Sequence, residues 1–189
     1  MDGPEVRRLR MCVGENDNSR SALSLLRVMV ADTQDMAMIG GGSRYVYRTA
    51  RDIQNPLSIR NERAAMHQLM TIVQRNLNAY PTSLKEDREK LEGNTLKPFS
   101  NARHAAIQVS GEKVVLLHYL QLAETALACL AAKTTAEMEE SRWQGKDKLV
   151  IDYCSGPILQ IWEQDYRARS TAPMGRTWGG QMTLEPTIV

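Results

Sequence analysis

The sequence is poor in aromatic residues and has a single phenylalanine among its 189 residues. Leucine, alanine and methionine supply the apolar side chains, and these residues favour helices, whereas strands favour aromatic and β-branched side chains. A share of 42% hydrophobic and 24% charged residues is typical of a globular protein with one core. The composition therefore predicts an all-α fold, an irregular helical bundle, and argues against a β-sandwich.

Metal-binding and disulfide patterns are also missing. The three cysteines stand far apart, at Cys12, Cys129 and Cys154, and the three histidines belong to separate predicted helices, at His67, His104 and His118. A zinc site needs ligands at close spacing, and no Cys-x-x-Cys or His-x-x-x-His pair occurs. An odd number of scattered cysteines fits a reducing compartment. We therefore expect no metal and an intracellular location, with cytoplasm, nucleus and plastid left open.

The charge balance gives no reason to expect a nucleic acid or a membrane as partner. A net charge of +2 is too small to attract a polyanion by itself. The densest basic run, Arg7-Arg8-Leu9-Arg10, fits a solvated terminus better than a binding segment. No apolar stretch approaches the roughly 20 residues of a membrane span, and the N-terminus resembles neither a secretory signal nor a transit peptide.

Helical periodicity organises the first half of the chain. An amphipathic helix is predicted over 19–30, followed by a loop at the three glycines of 40–42. A phosphate-binding loop there lacks the Lys-Ser/Thr that it needs. Ser58 can cap a long helix over 59–80, whose apolar stripe is Met66, Leu69, Met70, Val73, Leu77 and Tyr80. Its opposite face should be exposed, with Arg63, Gln74, Arg75 and Asn78.

A sharp corner follows this helix. Pro81 cannot continue it. Ser83 and Glu86 have the S/T-x-x-E spacing of a capping box, which predicts a new short helix from Leu84. Gly93 should end that helix in the left-handed conformation.

Two more helices are predicted downstream, a brief one over 100–109 and a long one over 111–132 that Ser110 can cap. The apolar stripe of the long one is Leu116, Leu120, Ala123, Leu127 and Leu130. His118 lies in that helix and is interpreted as a rim or core residue. We expect the two long helices to bury one another.

The C-terminal part is less regular. Residues 149–153 read as a short strand and residues 157–162 as a short helix with Pro157 in first place, although periodicity alone does not decide such short runs. The chain from Ser170 onward reads as irregular and disordered. Cys154 has no base positioned beside it in the sequence, so we give it no catalytic role.

Three motifs in order carry a resemblance to a known family. They are Asn61-Glu62, the corner Tyr80-Pro81-Thr82-Ser83-Leu84-Lys85-Glu86-Asp87, and Gly111-Glu112-Lys113. Together they resemble the substrate-binding domain of Rubisco large-subunit methyltransferases (LSMT), the helical lobe that follows the SET domain in protein-lysine and actin-histidine methyltransferases. The resemblance covers roughly residues 25–132, and it departs from the family's usual sequence at Gln108-Val109-Ser110.

The resemblance implies a lobe that binds a folded protein substrate, with a SET domain in cis or in trans. The chain contains neither the Asn-His nor the Tyr-Gly dipeptide expected of a SET domain. We therefore expect no catalysis and no S-adenosylmethionine binding by this chain alone, with no catalytic, cofactor-binding or metal-binding residues and with substrate-binding residues unassigned. Two alternatives stay open: a fragment of an active protein-lysine methyltransferase, and a generic helical interaction domain. The predicted organisation is a flexible segment over 1–18, the helical domain over 19–145 and a partly disordered extension over 146–189.

Overall fold

A computed structural model describes residues 17–38, 55–93, 95–134, 137 and 146–171. Regular structure within these residues is entirely helical, which confirms the predicted all-α bundle. The elements are α1 (Asp17–Met29), α2 (Thr33–Met38), α3 (Ile59–Asn78), α4 (Leu84–Glu92), α5 (Asn101–Leu130), α6 (Lys148–Tyr153), a π-helical turn (Cys154–Ile158) and α7 (Leu159–Thr171). The glycine loop of 40–42 and the predicted irregular ends lie outside the described residues, except that α1 already begins at Asp17 and α7 continues to Thr171.

The two long helices, α3 and α5, pack antiparallel. Arg63, near the start of α3, donates to the carbonyl oxygen of Leu130 at the end of α5 at 2.9 Å. Tyr80, just after α3, donates to Glu112 in the first half of α5 at 2.7 Å. The apolar stripe of α3 forms the centre of the core, since Met66, Leu69 and Val73 are buried, and the predicted wet face of α3 is exposed.

Helix α5 is continuous over 30 residues, so the predicted break before Gly111 is wrong. A glycine inside a helix costs only about 1 kcal/mol relative to alanine, and the packing of a long helix outweighs that cost. Ser110 is an interior residue. The N-cap is Ser100, whose side chain accepts from the N–H of Arg103.

The buried face of α5 also differs from the predicted stripe. Leu116, Leu120 and Leu127 are only partly buried, whereas Ala123 and Leu130 are buried as predicted. The most enclosed side chains lie one residue away around the helix: Tyr119, Leu122, Ala126 and Cys129. The buried face of α5 is rotated from the predicted one because α5 contacts α3, α4 and the C-terminal elements together. The predicted stripe assumed contact with α3 alone.

By length and composition, α5 is able to cross a membrane, contrary to the expectation from the sequence. Of its most apolar 18-residue window, 44% is buried inside the fold. Core helices that do not cross a membrane can have the same length and composition, so this property is weak evidence for a membrane span.

Gly93 and Phe99, between α4 and α5, have unexpected backbone conformations: the glycine has a negative φ and the phenylalanine a positive one. Gly93 ends the helix with φ −70° and ψ 5°, so the predicted left-handed conformation is wrong. A Cβ atom there would lie 2.9 Å from the carbonyl oxygen of Glu89, and this close approach explains the glycine. Phe99 has φ 59° instead, a conformation that side-chain-bearing residues adopt rarely.

The segment after Lys146 packs into the same core as α3 and α5. Residues 148–153 form a helix, so the predicted strand is wrong, and Asp147 caps that helix. Pro157 lies inside the π-helical turn and not at the first position of a helix. Proline lacks an N–H group and cannot make the regular α-helical hydrogen bond, so a wider π-helical turn accommodates it. The Leu159 N–H donates across this turn to the carbonyl oxygen of Cys154.

Five residues of this segment belong to the central cluster of buried side chains: Val150, Cys154, Ile158, Ile161 and Trp162. The Trp162 indole N–H also donates to the carbonyl oxygen of Ala132 at 2.8 Å. The predicted division of the chain at residues 18 and 145 stays a prediction.

Candidate functional site

A capping box turns the chain from α3 into α4. The Ser83 hydroxyl accepts from the Glu86 N–H at 3.2 Å, and the Glu86 carboxylate accepts from the Ser83 N–H at 2.6 Å. This confirms the predicted capping box. The backbone hydrogen bond from Ser83 lowers the pKa of Glu86, because it favours the ionised carboxylate.

A buried lysine ties this corner to α5. Lys113 Nζ donates to Asp87 Oδ2 at 2.5 Å, to the Thr82 carbonyl oxygen at 2.6 Å and to Thr82 Oγ1 at 2.9 Å. The Thr82 hydroxyl donates in turn to Asp87 Oδ1 at 2.7 Å. All three ammonium donors are therefore satisfied, as burial of a charge requires.

Tyr80 covers this ion pair. Its ring centroid lies 5.0 Å from Lys113 Nζ, within range of a cation–π attraction. The Tyr80 hydroxyl donates to Glu112, which raises the pKa of Tyr80. Hydrogen bonds from Gln108 and then Tyr80 lower the pKa of Glu112. We use the name corner cluster for Tyr80, Thr82, Asp87, Glu112 and Lys113.

The corner cluster is suited to holding the helices in one arrangement rather than to proton transfer. Hydrogen bonds from Lys113 and Thr82 hold the pKa of Asp87 below its ordinary value of 3.8. A carboxylate of this kind stays ionised at neutral pH and is a poor general acid or base there. Two of the three motifs that carry the family resemblance meet in this cluster, the corner and the Gly-Glu-Lys.

A second buried cluster surrounds the remaining motif, Asn61-Glu62. Arg27 of α1 pairs with Glu62 through Nε at 2.7 Å and through a terminal nitrogen at 3.1 Å, and both side chains are fully buried. The Tyr153 hydroxyl accepts from Arg27 at 2.8 Å and also donates to Glu62. Burial, first of all, raises the pKa of Tyr153 well above its ordinary value.

Asn61 extends this cluster toward α2. Its side-chain amide donates to the Arg27 carbonyl oxygen at 2.9 Å and to Asp35 Oδ2 at 3.1 Å. Ser58, the cap of α3, donates to the other oxygen of Asp35 at 3.0 Å. The carbonyl oxygen of the Asn61 side chain is buried without a hydrogen-bond partner among the described residues. The Asn61-Glu62 motif thus joins α1, α2 and α3.

Among the described residues, the side chains of Cys129, Cys154 and His118 do not form a catalytic arrangement. A hydrogen bond with Cys129, together with burial, raises the pKa of the Cys154 thiol, which keeps it protonated and unreactive. His118 is partly buried, and its ring meets that of Tyr119 edge to face at 5.3 Å. The described part of the chain holds no group of three or more potential metal ligands.

The three motifs are recognisable in the sequence, but the residues with which their charged side chains pair are not. Arg27 stands four residues after Leu23, on the apolar face of α1, and a charge there signals a buried counter-charge. The Asp87–Lys113 and Glu62–Tyr153 contacts join residues that are 26 and 91 positions apart. No local pattern indicates such pairs.

The sequence profile described as Rubisco LSMT substrate-binding matches residues 2–116, more than half of the chain. The chain belongs to this family. All three motifs of the Rubisco LSMT substrate-binding domain fall inside the match, which begins earlier and ends earlier than the roughly 25–132 expected. The match ends inside α5, so the second half of α5 and the segment from 146 onward lie beyond it. No curated protein and no solved structure matches the chain.

Proposed function

We propose that the chain is the protein-substrate-binding module of a SET-type protein methyltransferase, and that it holds a folded protein next to an active site carried on another segment. The observation that carries the proposal is membership of the Rubisco LSMT substrate-binding family over residues 2–116. The module itself needs no cofactor under this proposal, and S-adenosylmethionine belongs to the SET domain. Its action is intracellular, where such an enzyme meets its protein substrate.

The geometry of the two buried clusters supports a scaffold role. Their buried charges form internal pairs, Arg27 with Glu62 and Lys113 with Asp87, so these four side chains hold the helices together and leave binding to the outer surfaces. Each of the three family motifs contributes at least one residue to these pairs: Glu62, Asp87 and Lys113. A module that binds by its surface and does no chemistry needs such rigidity, because rigid surfaces lose little entropy when they bind.

A competition experiment tests the proposal. The purified chain is immobilised to capture proteins from a lysate, and the same chain is then added in excess to fresh lysate supplied with S-adenosylmethionine labelled on its methyl group. We expect label to enter lysine or histidine residues of the captured proteins, and the excess chain to lower that labelling, because it occupies substrate without methylating it.

Two controls make the result specific. Labelling of proteins that the chain does not capture should stay unchanged, and a variant with a damaged core, Leu69→Ala, should compete less well because Leu69 is only 1% exposed. Captured proteins that take up no label, or take it up equally with and without the excess chain, would overturn the proposal. Titration calorimetry of the chain with S-adenosylmethionine should show no binding tighter than about 1 mM.

A further inference from the structure

The outer face of α3 carries charge of one sign. Its exposed residues include Arg60, Arg63, His67, Thr71, Gln74 and Arg75. The only acidic residue of this helix is Glu62, which is fully buried against Arg27. A helix rises about 1.5 Å per residue, so Arg63 and Arg75 mark a polar, basic strip about 18 Å long.

Most of this positive charge is not neutralised within the described residues. Arg60 pairs with Asp32 at 2.8 Å and also with Asp35. Arg63 donates to a neutral carbonyl oxygen, that of Leu130, which leaves its charge uncompensated. Arg75 has no carboxylate within ion-pair distance in the part of the chain that the structure describes.

The neighbouring exposed helix shows a different pattern. Helix α4 carries three basic and three acidic side chains on its surface: Lys85, Arg88, Lys90, Glu86, Glu89 and Glu92. Lys85 and Glu89 approach to 3.9 Å, four residues apart. Mixed charges of this kind are ordinary for a solvated helix. Of these two exposed helices, only α3 lacks an acidic side chain on its surface.

We propose that the basic strip of α3, from Arg63 to Arg75, docks an acidic segment of the protein substrate. The inference rests on the proposed function and names the chemistry of the occupant. An extended segment advances about 3.3 Å per residue, so about five or six residues with alternate carboxylates match the strip. Between the arginines, the Gln74 amide can donate to and accept from the backbone of the docked segment, and the Thr71 hydroxyl, which donates to the His67 carbonyl oxygen at 2.9 Å, can accept from it.

Charge pairing at an exposed surface contributes more to encounter rate and specificity than to affinity. Docking at this strip should therefore be sensitive to salt, because exposed charges are screened beyond about 10 Å at 0.1 M ionic strength. It should also tolerate sequence variation in the partner as long as the carboxylates remain.

The test uses a fluorescent peptide of about 12 residues in which glutamate and alanine alternate, long enough to exceed the strip at about 3.3 Å per residue. A peptide with glutamine in place of glutamate serves as the uncharged control. We expect the full chain to bind the glutamate peptide at low salt, to bind it at least about tenfold more weakly at about 0.15 M salt, and not to bind the glutamine peptide.

Variants locate the site. Arg63→Glu with Arg75→Glu should weaken peptide binding at least about tenfold, since two attractive charges become repulsive. Arg75→Glu alone should weaken it in part, and it leaves the contact between Arg63 and Leu130 intact. The matched control is Arg88→Glu on the mixed face of α4, which should bind the peptide nearly as well as the parent chain. Circular dichroism verifies that each variant is folded.

Three outcomes would overturn the inference. They are equal loss of binding in Arg88→Glu, no loss in the double variant, and equally tight binding of a single-stranded oligonucleotide of the same charge, which would indicate a general polyanion surface. Failure here with a positive methylation competition would show that the protein substrate docks elsewhere on the lobe. A negative competition would remove the proposed function itself, so the two failures are distinguishable.

Discussion

Lys113 and Asp87 form an ion pair at 2.5 Å although they are 26 positions apart, and their side chains are only 2% and 8% exposed. The pair fastens α4 to α5 at the corner where α3 ends. A buried pair of this kind contributes little net stability compared with an apolar pair of the same shape, but loss of one partner leaves the other charge buried and alone. The corner cluster therefore fixes the arrangement of three helices.

Replacing one partner of this pair should strongly destabilise the fold. Asp87→Asn leaves the Lys113 ammonium without its counter-charge, and we expect a loss of about 3–5 kcal/mol in the free energy of unfolding, measured by urea denaturation. The double variant Asp87→Asn with Lys113→Met should lose clearly less than the sum of the two single losses. Additive losses would show that the two side chains do not interact.

Acid should weaken the parent chain through Asp87. The pKa of this carboxyl is depressed in the folded state below its ordinary value of 3.8. Its contribution is thus fully present above about pH 5, and it is lost as the pH falls through 3.8 toward the folded-state pKa. Urea midpoints measured from about pH 6 to about pH 2.5 should fall more steeply for the parent chain than for Asp87→Asn. Parallel curves would exclude Asp87 as a source of acid sensitivity.

The continuity of α5 predicts that Gly111→Ala is stabilising. Gly111 lies in the helix interior, and a Cβ atom added there meets nothing within 4 Å. We expect a gain of about 0.5–1 kcal/mol, because alanine loses less backbone entropy in a helix. Loss of stability in a thermal melt would instead support two helices separated at this position.

Phe99 should be replaceable by glycine with a gain in stability. Its backbone has φ 59°, and its side chain is 91% exposed, so little burial is lost. The left-handed conformation costs a non-glycine residue about 1–2 kcal/mol, of which the extra freedom of glycine in the unfolded chain offsets about 0.4–1. The melting temperature should rise by about 1–4 °C. Phe99→Ala, which keeps the strain, should leave it nearly unchanged.

In the second buried cluster, replacing Tyr153 and replacing Glu62 should lower the free energy of unfolding by different amounts. Tyr153→Phe removes hydrogen bonds to Arg27 and Glu62 but keeps their ion pair, so we expect a loss of about 1–3 kcal/mol. Glu62→Gln leaves the Arg27 charge buried and uncompensated, and the loss should reach about 3–5 kcal/mol. Equal losses in chemical denaturation would mean that the ion pair has no separate role.

Local signals gave reliable predictions where one segment decides its own structure. Ser58 and Ser83 cap helices as their spacing predicted, because a cap depends only on the next three residues. The stripe of α3 was equally readable, since one face of that helix meets the core throughout.

Predictions failed where neighbours decide the outcome. Ser110 and Gly111 look like a helix start, yet tertiary packing keeps α5 continuous through them. The apolar run of 149–153 is too short for its periodicity to distinguish a strand from a helix. The pairing of Lys113 with Asp87 depends on the fold of the corner. The α3 surface lacks acidic residues because Glu62 is buried against Arg27, and the sequence of α3 does not indicate that burial.

The position of Tyr153 has a consequence for synthesis of the chain on the ribosome. Glu62 leaves the ribosome 91 residues before Tyr153 does, and at about 5–20 residues per second this delay lasts roughly 5–20 s. During that interval the nascent chain holds α1 and α3 without the hydroxyl that completes their ion pair and without Trp162 over the core. The helices after Lys146 therefore complete the core around Glu62 only after α1 and α3 have been synthesised.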